Sequence, residues 1–513
     1  MQKNAWRERV KWHGKAMNAL FELDIATQAN ASRGISTRLY EELRTAILEG
    51  RLRPGAKLPS MRSAKALFGA SRNTAQEVYD RLANEGLVAA RHGSGTYVAS
   101  PVPSADQTHP DCGGEANDAR LNGFWLRADV ASSIGFWRES DLGLQAKRPL
   151  IDLRPAPIDP KLFPFPTFRQ VMARQLRRLE THSPSSKSPQ WNQGNFQLRQ
   201  AIADHVALTR ALACEPQEIV VTSGAQQAFD LIARILVKPG RTVVAVENPG
   251  FPPMRVPFEA AGARLVPVRV DSEGIVIEDI PRDAGIICVC PSHQFPLGMS
   301  MSSARRQALL QFARHTGAVI VEDDYDGEFR YDGTPLRALR TAQFADMVFY
   351  VGSFSKCMLP SLRLGYVVTP DWAIRALVAA KNALDWHCSI PLQMAVAGFI
   401  RDGHLARHVR RMRRIYRQRR DHLLAALENS VGAEIRPVPS SYGLHVTAIA
   451  RDGLDTEKVS EALSARGILC HALTRYFLGT PTLSGLVMSF ASADSKTLDL
   501  AVAALAEELA SLR

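Results

Sequence analysis

The sequence has no run of 18 consecutive apolar residues, and so no segment that could cross a bilayer as a helix. It also has no Cys-x-x-Cys pair: the seven cysteines, at 112, 214, 288, 290, 357, 388 and 470, are odd in number and scattered. None groups with histidine at zinc spacing. That argues against a structural metal and a disulfide framework, and it suits a reducing compartment. The first residues lack the apolar core of a secretory signal. No internal repeat and no low-complexity tract is present. These absences predict a cytoplasmic globular protein without a membrane partner or a bound metal.

With 513 residues, 46% of them apolar and 22% charged, the chain is too long for one hydrophobic core and predicts two or three domains. Its formal charge is +12, unevenly placed: residues 1–100 hold 16 Lys/Arg against 9 Asp/Glu, the rest 47 against 42. A basic terminal fifth is the footprint of a phosphate-backbone binder.

Residues 35–100 read as a small domain after an N-terminal extension, 1–34. A helix starts near Ser36, carries Leu39, Leu43, Ala46 and Ile47, and stops at Gly50. Ser60 caps a short helix with Ala64, Leu67 and Phe68. Ser71 caps another, whose apolar stripe is Ala75, Val78, Tyr79 and Leu82. Leu87-Val88 and Thr96-Tyr97-Val98 flank Gly93-Ser94-Gly95 as a hairpin. In a helix-turn-helix the second helix presents its first residues to base edges. Here Arg72 suits guanine and Asn73 adenine, while Ser71 and Thr74 suit phosphates. Arg62 could clamp the backbone, and Arg91, Gly93 and Gly95 form a slim basic wing tip.

Residues 101–149, rich in proline and glycine, read as a linker with one helix around 124–133. From 150 on, short apolar strands alternate with helices: Ile219–Thr222, Thr242–Val246, Ile286–Val289, Val319–Val321 and Met347–Val351 are the strands. The rhythm predicts a mostly parallel sheet covered on both faces, over 150–380, then a smaller C-terminal subdomain over 381–513.

The strand ends carry the chemistry. Lys356, after Gly352-Ser353-Phe354-Ser355, is placed as a Schiff-base lysine, with Ser353, Ser355 and Arg363 for a phosphate dianion. Gly224, Ala225 and Gln226 lie between a strand and a helix and offer amides to the same anion. Glu322-Asp323-Asp324-Tyr325-Asp326 follows another strand. Asp323 suits a protonated ring nitrogen and Tyr325 a ring hydroxyl. Phe251 could stack on the ring, and His293 lines the cleft. Singly each motif is weak; in this order on successive strand ends they point to pyridoxal 5'-phosphate. Arg407–Arg420 holds eight arginines and reads as a solvated helix face, with a secondary DNA-contacting patch as the alternative.

The strings Gly50-Arg51-Leu52-x-Pro54-Gly55, Leu58-Pro59-Ser60-x-Arg62, Ser71-Arg72-Asn73-Thr74, Glu85-Gly86-Leu87 and Gly93-Ser94-Gly95-Thr96 resemble the GntR-type winged helix. Residues 150–513 resemble fold-type I aminotransferases. Ser292-His293-Gln294-Phe295-Pro296, Glu322–Asp326 with Glu328-Phe329-Arg330-Tyr331, Ser353–Lys356 and His408-x-x-Arg411-Met412-Arg413-x-x-Tyr416 resemble the MocR/GabR regulators. The resemblance implies a winged helix-turn-helix (α+β) joined to an α/β aminotransferase-like domain with a smaller C-terminal subdomain. It further implies a head-to-tail, domain-swapped homodimer that binds an operator duplex and answers to an amino acid, an amine or the vitamer. When DNA-bound, such a protein associates with the nucleoid.

Some residues depart from the pattern. Phe251 stands where Tyr is commoner, and Asn248 replaces an acid. Phe295-Pro296-Leu297-Gly298 replaces the Asn-Pro-Thr-Gly box, so the amide that assists transamination is missing. No arginine near Met488-Ser489-Phe490 grips a carboxylate; Arg475 or Arg255 could substitute. Three readings follow: a ligand-responsive regulator, a working aminotransferase with an autoregulatory head, and a sensor of the vitamer itself. The missing amide disfavours the second, and predicts little or no physiological transaminase activity.

Overall fold

The computed structural model describes residues 34–68, 70–91, 94–99, 122–127, 130, 151–155, 158–181, 191–333 and 336–511; the side chains of 62, 65–67 and 126 are outside it. The expected extension, save residue 34, and most of the expected linker lie outside the described residues. Two compact units divide the chain, Met1–Ala116 and Asn117–Arg513.

In the first unit α1 (Ile35–Leu48), α2 (Met61–Phe68) and α3 (Arg72–Asn84) precede a hairpin of β1 (Val88–Arg91) and β2 (Gly95–Val98). Ser71 Oγ accepts from Thr74 N at 3.1 Å and Ser60 Oγ from Ser63 N at 3.2 Å. Each such cap stabilises its helix by about 1 kcal/mol. The stripe Ala75, Val78, Tyr79 and Leu82 is fully buried against Leu39, Leu43 and Phe68. That packing, more than helix propensity, holds α3 in place.

A helix was expected around 124–133 in the second unit; the chain there makes a 3-10 turn, Gly123–Leu126, and is α-helical at Val130, while residues 128, 129 and 131–133 lie outside the described residues. The elements that follow are β3 (Ile151–Asp152), α4 (Phe165–Thr181), α5 (Phe196–Arg210), β4 (Ile219–Thr222), α6 (Ala225–Leu236), β5 (Val243–Asn248) and α7 (Pro252–Ala260). Next come β6 (Arg264–Asp271), β7 (Gly274–Ile275), β8 (Ala284–Val289), α8 (Ser303–Thr316), β9 (Val319–Asp324), β10 (Val348–Ser353), β11 (Gly365–Val368) and α9 (Asp371–Leu384). The chain ends through α10 (Ile390–Arg401), α11 (His404–Val431), β12 (Ile435–Pro437), β13 (His445–Ala450), α12 (Thr456–Ala465), β14 (Ile468–Leu469), β15 (His471–Ala472), β16 (Gly485–Ser489) and α13 (Ser495–Ser511).

Eight strands form one sheet in the order β4-β11-β10-β9-β8-β5-β6-β7. Its core is parallel, and β11 and β7 run antiparallel to their neighbours. Alternate strand residues enter different cores: Val244, Val246, Ile286, Cys288 and Val321 pack with Phe229 and Phe258. Ala245, Ile287, Val289 and Ile320 pack with Leu309 and Ala313 of α8. Burial on both faces is why these strands read as unbroken apolar runs. A second, antiparallel sheet, β12-β13-β16-β15, forms the smaller lobe. One boundary differs from expectation in a way that matters. Strand β9 does not end at Val321 but runs on through Glu322, Asp323 and Asp324, all buried.

Candidate cofactor cleft and DNA-reading face

Strands β4, β10, β9, β8 and β5 point the same way, so their C-terminal ends open along one edge of the sheet. That edge is where open α/β sheets hold ligands. It collects, from separate loops, the cofactor candidates singled out above.

Lys356 follows β10, half-buried, with Nζ 3.2 Å from the Pro155 carbonyl oxygen. Burial pushes its amine down to about 8, and the nearby Asp326 carboxylate only partly opposes this. Ser355 N donates to Ser353 Oγ at 3.1 Å. At the end of β4, Gly224 has φ +80, and a Cβ there would lie 3.3 Å from the Arg363 guanidinium. Arg363 in turn donates to the Ser223 carbonyl at 3.1 Å. Glycine therefore lets the arginine approach the first turn of α6, where backbone amides and a fixed cation face one point. Gln226 is tied instead to the Pro253 carbonyl, at 2.9 Å. A cleft of about 340 Å³ lies here, lined by Ser223, Gln226, Arg363, Leu384 and Trp125.

On β9, Asp323 is 3% exposed. Its Oδ2 receives only the Cys290 thiol, at 3.9 Å, and its Oδ1 has no hydrogen-bond partner among the described residues. Burial, with Asp324, Asp326 and Glu247 close by, holds its carboxyl well above the usual range. A cationic N–H donor arriving at Oδ1 would reverse that penalty. His293 Nδ1 lies 2.7 Å from the Tyr325 hydroxyl and 3.0 Å from Asp326 Oδ2. Its ring sits 4.8 Å from that of His445, which burial keeps neutral. Phe251 meets Phe295 edge-on at 5.4 Å, and Phe295 meets Tyr325 at 5.8 Å. Arg255 and Arg475 flank one corner: Arg255 donates to the Phe477 carbonyl at 3.4 Å, and Arg475 is exposed on the turn Leu473–Tyr476.

Glu247 was not foreseen, and Gln294, Asp324 and Asn248, named only within motifs, take supporting roles. Glu247, at the end of β5, accepts from Cys290 N at 3.1 Å and lies 3.4 Å from Gln294 Nε2, and burial pushes it up to about 8. Gln294 also donates to the carbonyls of Pro249 and Phe295, so it ties the loop carrying Phe251 to the loop carrying His293. Asp324 pairs with Arg210 of α5 and accepts from Tyr350, which anchors β9 from below. Asn248 accepts from Leu478 N at 2.8 Å and donates to Leu478 O at 3.3 Å. A carboxylate could not make the second bond, which accounts for the amide at this position.

In the first unit Arg72 and Asn73 are exposed at the start of α3. The hydroxyls of Ser71 and Thr74 lie 2.8 Å apart and cap the helix, so they are less open to phosphates than expected. Gln76, one turn on, shares the exposed face and was overlooked. In the wing, Arg91 sits over the Tyr97 ring at 5.0 Å and Lys57 over it at 5.7 Å. Lys57 thus adds a second wing cation. Gly95 approaches Lys57 with φ +117; Gly93 and the Arg62 side chain lie outside the described residues.

The profile of the family "Aminotransferase class I and II" matches residues 162–505, and that of "Bacterial regulatory proteins, gntR family" matches 35–98. The probable rhizopine catabolism regulatory protein MocR of Rhizobium meliloti is 33% identical over 90% of this chain and 91% of its own. The pyridoxine biosynthesis transcriptional regulator PdxR of Corynebacterium glutamicum is 32% identical over 95% and 99%. Among solved structures, kynurenine aminotransferase from Pyrococcus horikoshii superposes with a TM-score of 0.65 at 25% identity, covering 73% of this chain and 95% of that one. The chain belongs to the MocR-type transcription regulators, which join a DNA-binding GntR-type head to an aminotransferase class I and II body.

Proposed function

We propose that the body of this regulator holds pyridoxal 5'-phosphate and reads an amino acid, an amine or the vitamer, and that this changes how the head binds its operator. The observation that carries the reading is the buried Asp323 Oδ1, without a hydrogen-bond partner among the described residues, on the same strand-end edge of the sheet as Lys356. A protonated pyridine nitrogen satisfies that oxygen. Ser353, Ser355, Arg363 and the amides around Gly224 hold the phosphate; Tyr325 and His293 hold the ring hydroxyl. Phe251 and Phe295 exclude water from the ring. When bound, the cofactor supplies an electrophilic carbonyl carbon and visible absorbance. The Lys356 amine is suited to attach to it because burial leaves a far larger share of it uncharged near neutral pH than in an ordinary lysine.

The loop Phe295-Pro296-Leu297-Gly298 offers no side-chain amide, which favours sensing over turnover. Arg255 and Arg475 are the candidates to meet an effector carboxylate. The functional unit is a cytoplasmic homodimer: Arg363 and Leu384 are exposed in a single chain, and a phosphate site left this open to water would hold its ligand weakly.

The test is to reduce the purified, cofactor-loaded protein with borohydride and map the modified peptide, then to measure duplex binding with and without candidate amines. Modification at Lys356, with a ligand-dependent change in DNA affinity, supports the proposal. Rapid turnover of an amino donor without any change in DNA binding refutes it in favour of an aminotransferase.

A further inference from the structure

Helix α11 holds eight arginines between residues 407 and 420, and residues 403–420 contain no aspartate or glutamate. The structure sorts these arginines into two sets. Arg413 donates to the Glu328 carbonyl, Arg419 to the Ala491 carbonyl at 2.7 Å, and Arg420 to the Ser440 carbonyl at 3.2 Å. These three fasten the helix to the body. Arg407, Arg410, Arg411, Arg414 and Arg417 are exposed. Their offsets of 0, 3, 4, 7 and 10 residues place them on one face, about 15 Å long at the α-helical rise.

Arg407 is bonded to the Asp402 carbonyl at 3.1 Å, and Arg417 lies 3.5 Å from Asp332. Arg410, Arg411 and Arg414 have no hydrogen bond or ion pair among the described residues. A merely solvated face intersperses both signs, as α13 does with Lys496, Asp499, Glu507 and Glu508. Like charges at helical spacing destabilise a helix, so this stripe does not serve the fold.

We propose that the exposed arginine face of α11 is a second DNA contact, which binds the sugar-phosphate backbone without reading bases. Guanidinium forks match phosphate oxygens, and a 15 Å row spans two to three phosphates of one strand at about 7 Å each. The same chain carries a head that binds duplex DNA. Once the head is bound, flanking DNA is presented to the body at high effective concentration.

The experiment uses the full-length protein and a random-sequence duplex, with fluorescence anisotropy read across salt concentrations. For the triple variant Arg410→Gln, Arg411→Gln, Arg414→Gln, affinity at low salt should fall at least tenfold. The slope of log affinity against log salt should shrink by about 2.7, at about 0.9 per phosphate contact. The triple lysine variant should keep most of both, because charge suffices. Should the glutamine triple not fold, Arg410→Gln and Arg414→Gln alone should each remove about 0.9 from the slope. An unchanged slope in the glutamine variants overturns the proposal. So does loss of binding to polyglutamate with duplex binding intact, which would assign the face to an acidic protein instead.

Discussion

The lowered basicity of Lys356 makes a quantitative prediction about how the apoprotein takes up its cofactor. An amine attacks a carbonyl only when uncharged, and burial brings this one down from 10.5 to about 8. At pH 7.5 about a quarter of Lys356 is then neutral, against about 0.1% for an ordinary lysine, an advantage of about 200-fold. The sign for stability runs the other way. The folded state holds its proton less tightly than the unfolded state, so below pH 8 the apoprotein carries the whole penalty. Stability is regained as pH rises from 8 to 10.5, by up to about 3 kcal/mol. The assay is stopped-flow absorbance after mixing apoprotein with excess pyridoxal phosphate at pH 6 to 10. The expected capture rate climbs with pH and levels off above about 8. In Asp326→Asn the bend should move to lower pH, because the carboxylate that favours the charged amine is gone. A rate that keeps rising to pH 10 would refute the assigned environment of Lys356.

Gly224→Ala should weaken cofactor retention about tenfold, since its backbone (φ +80, ψ 176) is open essentially to glycine alone, costing a residue with a Cβ about 1–3 kcal/mol, and the methyl group presses on Arg363; equilibrium dialysis reads it. Asn248→Asp should cost about 1–3 kcal/mol by thermal unfolding, because the Leu478 carbonyl loses its donor and faces a carboxylate instead. Arg72→Ala should lower operator affinity by roughly 1–3 kcal/mol per half-site and hardly affect scrambled duplex. Arg91→Ala should weaken both and flatten the salt dependence. Equal losses on both duplexes for Arg72→Ala would show that α3 is not the reading helix.

Most of the candidate site was legible as one cluster because its residues lie at strand ends, where short motifs mark the turn from apolar strand to helix. Ser71 and Ser60 announced their helices by capping. The strand's end was misplaced at Val321, since three consecutive carboxyls are costly to bury in a strand. They remain in a buried strand because partners distant in sequence receive them: Arg210 and Tyr350 on Asp324, and Leu339 N on Glu322. Such pairings, spanning tens to over a hundred residues, leave no local signature. Glu247 was hidden for the same reason, as one acid closing an apolar strand. Periodicity alone did not separate the inward from the outward arginines of α11, because guanidinium groups serve equally well on carbonyls and in water.

Those inward arginines have a mechanical consequence. Arg413 grips the segment after β9, while Arg419 and Arg420 grip the small lobe through Ala491 and Ser440. The helix runs on from Arg413 to Val431, about 27 Å, so a tilt of about 5° at that grip carries the far end about 2 Å. Reseating of the small lobe against the large sheet would swing α11 as a lever, and would turn a sub-ångström change at the cleft into a displacement of about 2 Å at the helix end.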